Sequence, residues 1–171
     1  MWRRANEESS WDSVLDTLSK CKHKTDTKVV VGSDSQPLKK GVVFVTVVAF
    51  ISEDRSIHGK FFYRKTLETI PFQSLYDRIL RETIVSVDTA SEIKKEAPYV
   101  SISVHLDVSP QGAQNKTSKF SNAMTSIVRG YGFEDVEVKP HSWCASGIAD
   151  SLTKNRVRKL RNKTWPVVKG Y

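Results

Sequence analysis

Asp34, Glu82, Asp107 and Asp150 are carboxylates set in or beside apolar segments. Asp34 follows Val29-Val30-Val31-Gly32-Ser33, and Asp107 closes the run Val100-Ser101-Ile102-Ser103-Val104-His105-Leu106. Glu82 lies inside a long helical pattern, and Asp150 opens a last helix after Ile148-Ala149. An ionised carboxylate withdrawn from water without a partner is costly. Four of them on separate elements suggest a metal site that recruits them together. Magnesium or manganese suits such a set, because both prefer hard oxygen donors. Without metal the same groups repel one another, and some would hold protons near neutral pH. Each also has an ordinary alternative: a turn residue for Asp34, a surface glutamate for Glu82, a strand end for Asp107, a first-turn dipole partner for Asp150. Asp77 and Asp88 fall on other faces of the same helix, which favours Glu82 over them.

The elements that must carry these residues follow from hydrophobic periodicity. Trp11, Val14, Leu15 and Leu18 recur at helical spacing, so residues 9–20 read as an opening helix capped by Ser9 or Ser10. Three strands are expected at Lys28 to Gly32, Val42 to Ile51 and Ile57 to Arg64, joined by turns at Pro37–Gly41 and Ser52–Ser56. Pro71 introduces a helix from about Phe72 to Glu96, with Leu75, Ile79, Glu82, Val85 and Ser86 near one face. Val100 to Val108 alternates as a fourth strand, with Ser101, Ser103, His105 and Asp107 sharing a face. A loop at 110–116, a helix from Thr117 to Arg129, a strand from Val136 to Lys139 and a helix from Ser146 to about Leu160 complete the chain. Crossovers through helices make strands parallel and right-handed. The expected class is therefore α/β: a mixed five-stranded sheet, three antiparallel strands then two parallel crossover strands, with helices on both faces. The expected divisions are an N-terminal helical extension over 1–27, the main domain over 28–160 and a basic tail over 161–171.

Length and composition suit one globular domain. No stretch approaches the roughly 18 apolar residues of a membrane span, so no membrane partner is expected. Two N-terminal arginines lack a following apolar segment, and Cys21 and Cys144 are too few for a disulfide framework, which points to a reducing, cytoplasmic setting. Seven of the 27 basic residues lie from Lys154 onward, where there is no acidic one, leaving residues 1–153 with 20 basic and 19 acidic groups. A near-neutral body with a cationic end suits a phosphate backbone; the alternative is a solvated tail.

With these elements in order, the chain resembles the ribonuclease H-like superfamily, and within it the YkuK-type family of predicted nucleases. The resemblance covers roughly Val29 to Lys154. It is carried by Val-Gly-Ser-Asp34-Ser-Gln, Asp-Arg-Ile-Leu-Arg-Glu82, His105-Leu-Asp107-Val and Lys-Pro-His-Ser-Trp-Cys-Ala-Ser-Gly-Ile-Ala-Asp150. It implies that Asp34 bridges two Mg2+ or Mn2+ ions on the first core strand, with Glu82, Asp107 and Asp150 as their other ligands. Such a pair, about 3.5–4 Å apart, serves phosphodiester hydrolysis. His141 falls in the loop where many ribonuclease H enzymes carry a mobile histidine, a proton carrier for the leaving group; a solvated loop histidine is the alternative. His105 reads as a satisfied partner rather than a ligand. Ser33, Ser35 and Gln36 are candidate phosphate or sugar contacts, with turn chemistry as the alternative, and Trp143 reads as a core anchor, with base stacking as the alternative. Lys116 and Lys119 read as a solvated face rather than backbone contacts.

The expected function is a metal-dependent nuclease acting on RNA, an RNA–DNA hybrid or structured DNA. The alternative is a non-catalytic nucleic-acid-binding module on the same fold. A small-molecule phosphotransfer enzyme is disfavoured because no Gly-rich phosphate loop is present.

Overall fold

The computed structural model describes residues 1–4, 7–22, 26–52, 57–157 and 167–168. A short hairpin opens the chain: β1 (Trp2–Arg4) pairs antiparallel with β2 (Glu7–Ser9). Helix α1 (Trp11–Ser19) follows, with the Ser10 hydroxyl accepting the Ser13 amide at its N-cap. Then come β3 (Lys28–Leu38), β4 (Gly41–Ile51) and β5 (Phe61–Glu68), each antiparallel to the next. Helix α2 (Leu75–Glu96), capped by Ser74, crosses to β6 (Ser101–Leu106), which lies parallel to β3. A 3-10 turn at Ser118–Phe120 leads into α3 (Ser121–Gly130) and β7 (Val136–Glu137), parallel to β6. A π-helical turn (Cys144–Ala149) runs directly into α4 (Asp150–Val157). Finally β8 (Val167–Val168) pairs parallel with β5.

The expected core is present: β5-β4-β3-β6-β7 gives three antiparallel and two parallel strands in adjacent positions. The sheet has eight strands, however, not five, because β1, β2 and β8 extend it beyond β5. These pieces of two or three residues are too short to show a period of two; β1 and β8 add to the edge of β5, and β2 to β1. Residues 1–27 therefore contribute strands as well as a helix. The turn residues 53–56, the expected helix end at 158–160 and most of the tail lie outside the described residues.

Alternation along the central strands sorts side chains to two faces. Val29, Val31, Val48, Phe50 and Val104 pack under α1, α2 and α3, with Leu18, Val87 and Met124 among their buried neighbours. Val30, Val45, Val47 and Tyr63 pack under the π turn and α4, against Cys144, Ala149 and Leu152. The β5 strand runs Phe61–Glu68 rather than Ile57–Arg64. Its charged second half disguised it: Lys65 is buried and its ammonium donates to the Leu152 carbonyl of α4, while Glu68 is clamped by Arg81 of α2 at 2.7 Å.

Strand β3 also outruns its sequence limit. It pairs with β4 as far as Leu38, but with β6 only as far as Ser33, opposite Leu106. Past Ser33 one edge of β3 carries no β6 partner, so Pro37 fits without losing a ladder hydrogen bond. Asp34 is the first residue beyond that split. Asp107 is the first residue beyond the end of β6, and the parallel register sets the two side by side.

Candidate active site

Glycine 32 decides how closely the last helix approaches. A Cβ there would lie 2.8 Å from the Ala145 nitrogen and 3.0 Å from the Ala145 Cβ. With no side chain at 32, the π turn rests on the backbone of β3, and α4 starts beside Asp34. The Asp34 carboxylate is buried; the Ser35 amide and the Thr153 hydroxyl, which donates to the Ala149 carbonyl at 2.6 Å one turn into α4, lie close enough to ease its ionisation. Burial, and then the neighbouring charge of Asp107, push its pKa up to about 6; Asp150 adds to the repulsion.

Glu82 comes from the other side of the sheet. It is buried on α2, and the Ser35 hydroxyl donates to its Oε1 at 2.5 Å. Burial and the charges of Asp34 and then Asp107 raise its pKa to about 8, against relief from Ser35 and from Arg78 one turn earlier. Asp77 is taken up at the helix cap, its amide bonding Ser74, and Asp88 is exposed. Of the three acids weighed on this helix, Glu82 is the one that meets the other carboxylates.

Asp107 and Asp150 have cationic partners. Lys139 Nζ stands 2.9 Å from Asp107 Oδ1, yet that buried oxygen has no partner in hydrogen-bonding geometry. Lys154 Nζ bonds Asp150 Oδ2 at 2.8 Å across one turn of α4. Among the described residues, no three His, Cys, Asp or Glu side chains are drawn close enough to enclose a metal ion. Three of the four carboxylates have a partner of their own: Ser35 bonds Glu82, and Lys139 and Lys154 pair with Asp107 and Asp150. The donor set nonetheless fits a hard divalent cation, being oxygen throughout, mutually repelling and with one buried carboxylate oxygen unsatisfied.

The remaining candidates divide. His141 is exposed on the loop before the π turn. His105 is buried; its Nδ1 accepts the Cys144 amide at 3.2 Å, and burial lowers its pKa to about 4. It is a neutral anchor for the π turn. Trp143 packs edge-on against His105 at 5.2 Å but remains 38% exposed, so it is not the core anchor expected. Ser33 accepts a bond from Ser86 and donates one to Thr46, a buried chain that fastens α2 to the sheet. Sequence reasoning missed Thr153, Lys139 and Lys154. The i,i+4 spacing of Asp150 and Lys154 was the one local signal available.

The family model described as ribonuclease H-like matches residues 12–154. The chain belongs to the ribonuclease H-like family. The match takes in nearly all of α1, whereas β1, β2 and β8 lie outside the matched residues. No curated protein and no solved structure matches the chain. No described helix is long and apolar enough to cross a membrane.

The raised carboxylates make stability depend on pH in metal-free buffer. Both folded values lie above the ordinary ones, 3.8 for Asp34 and 4.5 for Glu82, so the folded state holds protons that the unfolded chain has released. Their contribution is complete below about pH 4 and is lost as pH rises through about 6 for Asp34 and about 8 for Glu82. The melting temperature should therefore fall between pH 5 and 8. Glu82→Gln should flatten the upper part of that fall and melt above the wild type at pH 8. Parallel melting curves for the two proteins would show the assignment to be mistaken.

Proposed function

We propose that this ribonuclease H-like chain is a metal-dependent nuclease that hydrolyses phosphodiesters in RNA, an RNA–DNA hybrid or structured DNA. The observation that carries the reading is the meeting of acids from separate elements: Glu82 of α2 bonds Ser35 next to Asp34, the parallel register sets Asp107 beside Asp34, and burial with neighbouring carboxylates raises both Asp34 and Glu82. Asp34, Glu82, Asp107 and Asp150 would hold two Mg2+ or Mn2+ ions. When bound, such ions supply an activated water and stabilise the departing oxygen. Ser35 orients Glu82 from behind, as the outer partners of ligands do. Lys139 and Lys154, freed from Asp107 and Asp150 by the change in charge, would turn to phosphate oxygens. His141, exposed on its loop, is the candidate to hand a proton to the leaving 3′ oxygen. The products would carry 5′-phosphate and 3′-hydroxyl ends.

The second reading is a non-catalytic nucleic-acid-binding module. It is favoured by the two lysine pairs, which neutralise half the carboxylates internally. Two measurements separate the readings. Millimolar Mg2+ or Mn2+ should raise the melting temperature at pH 8 by several degrees, because binding to the folded state alone is stabilising. A gel assay with end-labelled RNA, hybrid, duplex and branched DNA should show metal-dependent cleavage of at least one substrate. Metal-independent melting together with intact substrates would leave the binding module as the answer.

A further inference from the structure

Beside the carboxylates lies a groove of about 710 Å3, between the β3–β4 hairpin and the start of α2. That size is within the range of about 300–1,000 Å3 typical of ligand sites. Its charge is one-sided: Lys39, Lys40 and Arg78 line it, and no acidic residue does. Lys39 and Lys40 are exposed at the hairpin tip, and neither forms an ion pair with a described carboxylate. Glu68, at the adjoining end of β5, is already neutralised by Arg81. Arg78 Nε is buried without a hydrogen-bond partner. The hairpin is held in place by Gly41, whose φ of 141° and contact with the Glu68 carbonyl, 2.2 Å from where a Cβ would stand, exclude other residues.

The remaining walls are mainly apolar, with Thr69, Gln73 and Ser74 among them. Ile70 is 48% exposed, and Phe72 lies against Phe44 at 5.4 Å. Cations beside an open apolar surface are the combination that takes a single-stranded nucleic acid, with phosphates on the lysines and unpaired bases on the wall. A duplex keeps its bases stacked inside and has no use for the wall. The groove shares two elements with the carboxylates, although none of them lines it. Arg78 is one helical turn, about 6 Å of rise, from Glu82. Pro37, on the groove wall, is three strand residues, about 10 Å, from Asp34.

We infer that this groove binds a single-stranded stretch of nucleic acid and leads it to the carboxylate site, an assignment that rests on the nuclease reading for what happens at the far end. The test is fluorescence anisotropy of a labelled 12-nucleotide single strand, as RNA and as DNA, in EDTA, titrated over a range of NaCl. The full chain is compared with Lys39→Ala/Lys40→Ala and with Ile70→Ala, both exposed changes that should leave melting unaltered. Losing two phosphate contacts should reduce the slope of log K against log salt by about 1.4, at roughly 0.7 per contact for single strands. Ile70→Ala should weaken binding a few-fold with the slope unchanged. The matching duplex should bind more weakly and respond less to the double substitution. An unchanged slope in the double variant, or an equal loss on duplex, overturns the groove even if the wild type cleaves substrate. Reduced slope without any cleavage by the wild type upholds the groove and refutes the nuclease.

Discussion

Asp34→Asn should reduce phosphodiester hydrolysis by about a thousand-fold or more, equivalent to about 4 kcal/mol of barrier, with nucleic-acid binding intact or stronger. The side chain keeps its shape and its place beside Thr153 and Ser35. What disappears is the charge that both metal ions would share, and with it part of the repulsion felt by an approaching phosphate. The change also removes the leading charge repelling Glu82. The variant should therefore melt higher than the wild type at pH 8 in metal-free buffer, while gaining little from added Mg2+ or Mn2+. Steady-state cleavage, oligonucleotide anisotropy and melting with and without metal check the three parts. Undiminished turnover in a preparation free of contaminating nuclease would sink the assignment.

Gly32→Ala should destabilise the fold by about 1–3 kcal/mol, the usual cost of overpacking, or roughly 3–10 °C at this chain length. The added methyl would meet the Ala145 backbone, which cannot rotate away. The π turn must then lift from β3, taking Asp150 and Thr153 away from Asp34. Loss of stability should thus come with weaker metal binding, which an ordinary core substitution at a distance would not produce. Gly147→Ala is the control, since a Cβ there has 4.0 Å to its nearest neighbour; it should be neutral or mildly stabilising. Equal melting and equal metal response in Gly32→Ala and the wild type would show that the π turn does not depend on this contact.

What could be read from the chain alone was local. Alternation from Val100 to Val108 and the apolar runs around β3 and β4 marked the central strands, because a period of two follows where the faces differ in polarity and a continuous apolar run where both are buried. Glu82 could be picked over Asp77 and Asp88 because helical spacing assigns a face. The order of elements was enough to expect three antiparallel strands followed by two parallel ones, and it carried the family resemblance that residues 12–154 bear out. Partners were not legible. The parallel register that sets Ser33 opposite Leu106, and hence Asp34 beside Asp107, depends on the whole sheet and has no local signature. Nor has the contact of Gly32 with Ala145, or the reach of Lys139 to Asp107 across two loops. The strands β1 and β8 form on the edge that β5 offers, and β2 forms on β1. Lys65 looked like the end of a strand until α4 presented a carbonyl to it. Periodicity says which way a side chain faces; what it meets there is decided by segments more than 100 residues away, as Val30 and Cys144 show.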